Sequence, residues 1–219
     1  MFNEFVITSE TTLTLYSSSK ISIEQQKICW SFERLAKSLD NVLNVVVGMN
    51  TICVYTNDVN YKELCKLKLH LDSLYKETKP IELDGKLIEI PVDYGGELGF
   101  DLLNLAKLKK LSIKEVVDIH TKPIYTVYFI GFLPGFAYLG GLDNILNTPR
   151  LSIPRTKIPA GSVGIGGAQT GIYPLEAPGG WNIIGNTSVK LFDINKEQPS
   201  LLKAGDRLKF VVNSIKESL

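Results

Sequence analysis

The sequence has almost no excess of positive or negative charge. Its 24 lysine and arginine residues stand against 23 aspartate and glutamate residues, so the formal net charge is +1. A surface that binds nucleic acid or anionic lipid needs a clustered excess of basic groups. The composition therefore argues against nucleic acid and membranes as partners.

Long apolar runs and targeting signals are lacking too. No window approaches the ~18 uninterrupted apolar residues of a membrane-spanning helix. The first residues, MFNEFVITSE, lack the basic segment and apolar run of a secretory signal. The sequence has only three cysteines and no CxxC spacing. We therefore expect reduced thiols and a cytoplasmic protein.

The residue sets of several common catalytic centres are missing. Two histidines and three unspaced cysteines offer too few ligands for a zinc site, so we expect no metal. The chain has no GxxxxGK[ST] phosphate-binding loop. Residues 164–169, GIGGAQ, fail the dinucleotide fingerprint at its third glycine. These absences argue against a nucleotide loop or a nicotinamide cofactor in this chain.

What the chain does have is one segment rich in glycine and proline. Residues 131–193 hold 12 of the 18 glycines and 6 of the 10 prolines, but only seven charged residues. Interleaved aromatic and aliphatic residues supply too much apolar surface for disorder. Glycine and proline fix loops in particular shapes, and shaped loops on a rigid scaffold often carry function. The alternative is a β-barrel with tight corners and no site.

Residues 1–89 have the pattern of an α+β two-layer domain. Alternating residues predict strands at 4–8, 12–16, 42–47 and 51–55. Ser22 with Gln25 predicts a capping box before one helix, and Asp58 is the expected cap of a second. We assign a further strand, 86–92, to the same layer. Both helices are expected on one face of the sheet.

Residues 90–219 predict an all-β barrel with short helices at its start. The expected boundary lies near Gly95-Gly96, and Ser112 with Glu115 predicts a capping box for a short helix. Strands are expected at 125–129, 162–165, 188–192 and 207–212. Many short strands with glycine and proline corners are typical of a closed barrel.

The glycine-rich segment resembles a known family. The runs GFLPGFAYLGGL, TPR, IPR and IPAGSVGIGGAQTGIYPLEAPGGWNIIGNT resemble those of the B-type subunits of 5-oxoprolinase. That family also contains sporulation kinase inhibitors and allophanate hydrolase subunit 1, and is similar to the carboxyltransferase C and D unit of urea carboxylase. DYGGELGFDL, LSIKEVVDIH and LLKAGDRLKF extend the resemblance over most of residues 90–212. One departure is GIGGAQT, where GIAGGQT is expected.

The resemblance implies a cyclophilin-like barrel and a role in cleaving 5-oxo-L-proline to L-glutamate with ATP hydrolysis. The chain would be active only in a complex with two partners, a carboxyltransferase-like 5-oxoprolinase subunit and a LamB-type subunit. ATP would be used by that complex. Two alternatives stay open, namely an inhibitor that binds a sporulation histidine kinase and a component of a urea or allophanate pathway.

Polar residues in the glycine-rich segment are the candidates for chemistry. Gln169 and Thr170 follow Gly166-Gly167 in a turn, and their amide and hydroxyl suit a lactam or acyl-phosphate oxygen. We predict catalytic roles for both and a substrate-binding role for the two glycines.

Charged candidates leave structural alternatives open. Arg155 after Pro154 suits a carboxylate clamp or a tie between loops, and for Arg150 the tie is the favoured interpretation. Glu176 is predicted to be catalytic, as a general base, unless it pairs with Arg155 or Lys157. His120 ends a predicted helix, where it would act catalytically or as a cation at the helix C-terminus.

Aromatic residues form the last group of candidates. Phe132 is expected to pack in the barrel, while Phe136 and Tyr138 fit either the barrel or a groove. Such rings would also anchor a protein interface. The predicted substrate-binding candidates of this group are Pro134, Gly135, Phe136, Tyr138, Tyr173 and Trp181.

Overall fold

A computed structural model describes residues 4–216 of the chain. Those residues form two compact units, divided between Leu83 and Asp84. Among them no helix combines the length and apolar character that crossing a membrane requires.

The first unit is a four-stranded antiparallel sheet with two helices. Its strands are β1 (Phe5–Ser9), β2 (Thr12–Tyr16), β3 (Val42–Val47) and β4 (Thr51–Thr56), in the order β1-β2-β4-β3. Its helices are α1 (Ile23–Ala36) and α2 (Tyr61–Glu77). Alternate residues such as Leu13, Leu15, Ile52 and Val54 are fully buried, so one sheet face forms the core.

The helix caps agree only partly with the sequence analysis. Ser22 accepts a hydrogen bond from the Gln25 backbone N–H and caps α1 as expected. The predicted cap at Asp58 is wrong, because α2 begins two residues later, after Asn60. Asn60 and Glu63 form a complete capping box, whose two reciprocal hydrogen bonds Asp58 would not make.

The second unit is a closed barrel of seven strands. The barrel strands are β5 (Leu87–Gly95), β6 (Tyr125–Ile130), β7 (Ala137–Gly140), β9 (Ser162–Gly166), β10 (Gln169–Ile172), β12 (Asn182–Asn186) and β13 (Arg207–Lys216). They are joined in the order β10-β7-β6-β13-β5-β12-β9. Two outer strands, β8 (Arg155–Ile158) and β11 (Ala177–Gly179), form a separate ribbon. Helices α3 (Leu102–Lys109) and α4 (Ile113–Thr121) pack on the barrel. Ser112 and Glu115 form the predicted capping box of α4.

Two predicted strands are corrected by the structure. The strand expected at 86–92 does not belong to the first layer, because β5 pairs with β12 and runs parallel to β13 in the barrel. The strand expected at 188–192 is a loop, with one isolated bridge between Phe192 and Ser200. Its alternation arises because Leu191 packs into the barrel core without a strand partner.

Candidate functional site

A cavity of about 220 Å³ opens on the outside of the barrel, beside the β8–β11 ribbon. Most of its lining is aromatic or backbone. The lining residues are Phe132, Phe136, Tyr138, Arg150, Pro154, Tyr173, Pro178, Gly179, Gly180 and Trp181. We call this the aromatic cavity. The β6–β7 loop, the loop before β8, and the segment from β10 to β12 supply its walls.

The Trp181 side chain packs against a part of the barrel wall that is formed by glycines. A Cβ on Gly166 would stand 2.5 Å from the Trp181 Nε1 atom, which is closer than real Cβ contacts. A Cβ on Gly171 would lie 3.2 Å from both Trp181 and Phe136, and one on Gly164 would lie 3.2 Å from the Trp181 Cβ. The glycines of β9 and β10 therefore allow the indole to lie flat against the barrel wall.

Phe136 is the centre of the aromatic cluster. Its ring meets those of Phe132, Tyr138, Tyr173 and Trp181 edge-to-face, at centroid distances of 5.4, 5.0, 5.4 and 5.5 Å. Edge-to-face contacts at these distances are favourable because the positive edge of one ring meets the negative face of another. The cluster thus gives the cavity rigid walls.

Phe132 differs from the expectation that it packs in the barrel. Its side chain is 58% exposed, and its backbone is left-handed with a φ of 69°. A non-glycine residue in that region is strained, and such strain is often found at functional sites. The turn that follows, with Gly135 at a φ of 79° and exposed Pro134, places the Phe132 ring at the cavity.

The four cations of residues 131–193 differ in their partners. Three form ion pairs, namely Arg155 with Asp101, Lys157 with Glu176, and Lys190 with Asp193. Arg150 has no carboxylate within ion-pair distance among residues 4–216. Its guanidinium carbon lies 5.9 Å from the centre of the Trp181 ring, which is a cation–π distance. The cavity therefore has one cation that no acid of the described chain neutralises.

Arg155, the predicted carboxylate clamp, has a partner within the protein. Its Nη2 donates to Asp101 Oδ1 at 2.7 Å, and its guanidinium lies 4.6 Å from the centre of the Phe100 ring. The second oxygen of the buried Asp101 accepts the Ile183 backbone N–H at 2.7 Å. This network ties β8 to β12 through the Asp101 carboxylate, and leaves Nη1 of Arg155 buried without a hydrogen-bond partner among residues 4–216.

The hydroxyl groups of Tyr138 and Tyr173 stay protonated at neutral pH. Burial raises the pKa of Tyr138, and the positive charge of Arg150 partly opposes that rise. Burial also raises the pKa of Tyr173, against a hydrogen bond from the Trp181 backbone and the charge of Arg150. Both hydroxyls can therefore donate hydrogen bonds, and both tyrosines line the cavity that Arg150 also lines.

His120 and Thr170 lie together, but inside the barrel and not in the aromatic cavity. The His120 Nε2 is 2.9 Å from Thr170 Oγ1, whose hydroxyl donates to the Gly164 carbonyl at 3.0 Å. His120 must therefore donate through Nε2, and its Nδ1 accepts from the Tyr94 hydroxyl at 2.8 Å. Full burial lowers the pKa of His120 to about 3. The interpretation of His120 as a cation at a helix end is wrong, because the ring is neutral.

Gln169 and Glu176 lie on the outer side of the barrel. Gln169 pairs with Gly166 and points away from Thr170, because neighbouring side chains of a strand alternate. Its Nε2 is buried and has no partner in the described chain. Gly167 has a φ of 65° at the turn, and its N–H donates to the Thr148 carbonyl. Glu176 forms the exposed ion pair with Lys157 that the sequence left open.

Part of this arrangement has no signal in the sequence. The sequence alone favours a structural role for Arg150 and does not indicate a partner for Asp101. Asp101 lies 54 positions from Arg155, so no local pattern indicates the pair. No group of three or more histidine, cysteine or acidic residues in the described part of the chain could hold a metal ion.

Comparison with known proteins identifies relatives along almost the whole chain. The family model of the carboxyltransferase domain, subdomain C and D, matches residues 4–202. The B subunit of 5-oxoprolinase from Haemophilus influenzae is 49% identical over 208 residues, which are 94% of this chain and 96% of that protein.

Solved structures confirm the fold. The crystal structure of the protein TTHA0988 superposes with a TM-score of 0.76 at 31% identity, over 94% of this chain and 40% of that one. The urea carboxylase of Kluyveromyces lactis gives a TM-score of 0.77 at 15% identity, over 96% of this chain and 22% of that one. This chain therefore spans less than half of either solved chain. Because the family model matches residues 4–202, the chain, with its α+β unit and cyclophilin-like barrel, belongs to the carboxyltransferase subdomain C and D family.

Proposed function

We propose that this chain is the B-type subunit of an ATP-dependent 5-oxoprolinase. The observation that carries the proposal is the 49% identity to a protein of that name over nearly the full length of both chains. The reaction is the opening of the 5-oxo-L-proline lactam to L-glutamate, coupled to ATP hydrolysis. The protein acts in the cytoplasm, where its three free cysteines stay reduced.

ATP does not fit the aromatic cavity. The volume of about 220 Å³ is below the ~300–1,000 Å³ typical of sites for drug-sized ligands. The lining offers one guanidinium and otherwise aromatic, proline and glycine residues, which is a poor set for a triphosphate. In the proposed enzyme the nucleotide is bound outside this cavity.

The remaining parts of the site belong to partner proteins in this proposal. The carboxyltransferase-like partner supplies the wall that faces the cavity, and the LamB-type partner completes hydrolysis. The exposed Phe132 and Ile153, at and beside the cavity, are apolar groups of the kind that a partner covers. The matched region is 40% of the longer TTHA0988 chain, which agrees with a unit that works beside further domains.

The test is ADP release in the presence of 5-oxo-L-proline, with each of the three subunits omitted in turn. We expect turnover only when all three are present. Robust turnover by this chain alone would contradict the requirement for a complex. Full activity of the other two subunits without it would remove the enzyme role and leave the binding of a histidine kinase as the function to test.

A further inference from the structure

We infer that the aromatic cavity binds the substrate of the proposed enzyme, with the carboxylate on Arg150 and the ring among the aromatic side chains. The ligand class is a small saturated ring that bears one carboxylate. This inference rests on the proposed function, because 5-oxo-L-proline is the member of that class that the enzyme would open.

Arg150 is the group that selects a carboxylate. It lies at the cavity without an acidic partner in residues 4–216, whereas the other three cations of the glycine-rich segment are paired. A guanidinium presents its N–H groups as a planar fork that matches the two oxygens of a carboxylate. The guanidinium carbon lies 5.9 Å from the centre of the Trp181 ring, and Arg150 is exposed, so its N–H donors can reach a ligand.

The aromatic walls select a small apolar body. Ring faces carry negative charge density, so they repel an anion but accept the positive edges of C–H groups. A carboxylate therefore prefers the side of Arg150, and methylene groups prefer the aromatic rings that line the cavity, among them the exposed Phe132. The volume of about 220 Å³ equals that of only about seven water molecules, which suits a single five-membered ring.

The lactam group has partners in the same place. Tyr138 and Tyr173 line the same cavity as Arg150, and their hydroxyls stay protonated. A hydroxyl can donate to the lactam carbonyl or accept from the lactam N–H. The cavity thus offers a cation for the carboxylate, rings for the methylenes and hydroxyls for the amide.

Arg155 serves this site as a positioning residue. Its ion pair with Asp101 and contact with Phe100 hold the start of β8 in place. Asp101 also accepts the Ile183 N–H, two residues after Trp181. The network therefore fixes the strand that follows the indole, while Arg150 contacts the substrate.

The experiment compares wild type with Arg150→Gln and Arg150→Lys in the assembled three-subunit enzyme. We expect Arg150→Gln to raise the KM for 5-oxo-L-proline about ten- to a hundred-fold with little change in kcat, because a charge-assisted contact of ground and transition states is lost. Arg150→Lys keeps the charge without the fork and should fall between the two. The matched control is Lys190→Gln, an exposed cation paired with Asp193, which should leave KM unchanged.

A ligand without the carboxylate separates charge from packing. 2-Pyrrolidinone, tested as a competitive inhibitor, should bind wild type and Arg150→Gln equally well. An unchanged KM in Arg150→Gln would overturn the inference, and equal weakening of both ligands would overturn the assignment of the carboxylate.

The outcomes distinguish this inference from the proposed function. If wild type turns over 5-oxo-L-proline and Arg150→Gln matches it, the function holds and the cavity is not the substrate site. If wild type shows no turnover, the proposed function fails first. Displacement of a fluorescent proline-containing peptide from the cavity, without competition by 5-oxo-L-proline, would assign the cavity to a polypeptide and overturn the inference.

Discussion

Strands β9 and β10 have an inner and an outer face, and the polar groups near these two faces differ in whether they have partners. On the inner face, hydrogen bonds run from Tyr94 through His120 and Thr170 to the Gly164 carbonyl, so that each donor meets an acceptor. On the outer face, glycines make room for Trp181, and nearby Arg150 lacks an acidic partner in the described residues. Buried polar groups that satisfy one another stabilise a fold. An unpaired cation beside an apolar cavity is instead suited to a ligand.

The strongest test of the inner face is His120→Ala. The change removes a fully buried ring and leaves the Tyr94 and Thr170 hydroxyls with fewer partners. We expect the free energy of unfolding to fall by about 3–5 kcal/mol, as for other large buried rings. Urea denaturation measures the loss, and His70→Ala, at an exposed position, is the control. A loss below about 1 kcal/mol would show that the hydrogen-bonded chain is not structural.

The outer face is tested by Gly166→Ala. The new Cβ would stand 2.5 Å from Trp181 Nε1, so the indole must move away from strand β9. Overpacking of this kind costs about 1–3 kcal/mol, and we expect a higher KM for the substrate as well. Tryptophan fluorescence and steady-state kinetics report the two effects. Gly131→Ala is the control because its Cβ would have only ordinary contacts, the nearest at 3.5 Å. An unshifted emission spectrum would argue against the close packing of Trp181 on Gly166.

Local signals in the sequence predicted most of the fold, whereas the contacts of the candidate site are non-local. Capping pairs such as Ser112 with Glu115 and alternating runs such as β2 are local signals, and they located most elements. The strand expected at 188–192 failed because Leu191 is buried by tertiary packing without strand pairing. Arg150 and Arg155 look equivalent in sequence, since each follows a proline, and only the distant Asp101 distinguishes them.

Acid should lower the free energy of unfolding through His120, in a pH range set by the pKa values of that residue in the folded and unfolded chain. The pKa of His120 is about 3 in the folded protein and about 6.5 when unfolded, so only the unfolded chain gains this proton between those values. Stability from the neutral ring is therefore complete above pH 6.5 and is lost as the pH falls toward 3. We expect His120 to account for a loss of about 2 kcal/mol between pH 7 and pH 5. The loss should disappear in His120→Asn, and an equal loss in both proteins would assign it to other groups.

The smallest effect is expected at Glu176, which the sequence predicted to be a catalytic base. Its side chain is 55% exposed, pairs with the similarly exposed Lys157, and does not line the aromatic cavity. Exposed ion pairs contribute about 0–1 kcal/mol, so Glu176→Gln should change the free energy of unfolding by less than about 1 kcal/mol. If the substrate lies in the cavity, kcat should also stay within about two-fold of wild type, because a general base must reach the proton it removes. Steady-state kinetics of the assembled enzyme measure this, with Lys157→Gln breaking the same pair from the other side. A drop in kcat of about a hundred-fold or more in Glu176→Gln alone would restore the base. That result would also place the reacting atoms near Glu176 on the ribbon and not among the aromatic rings.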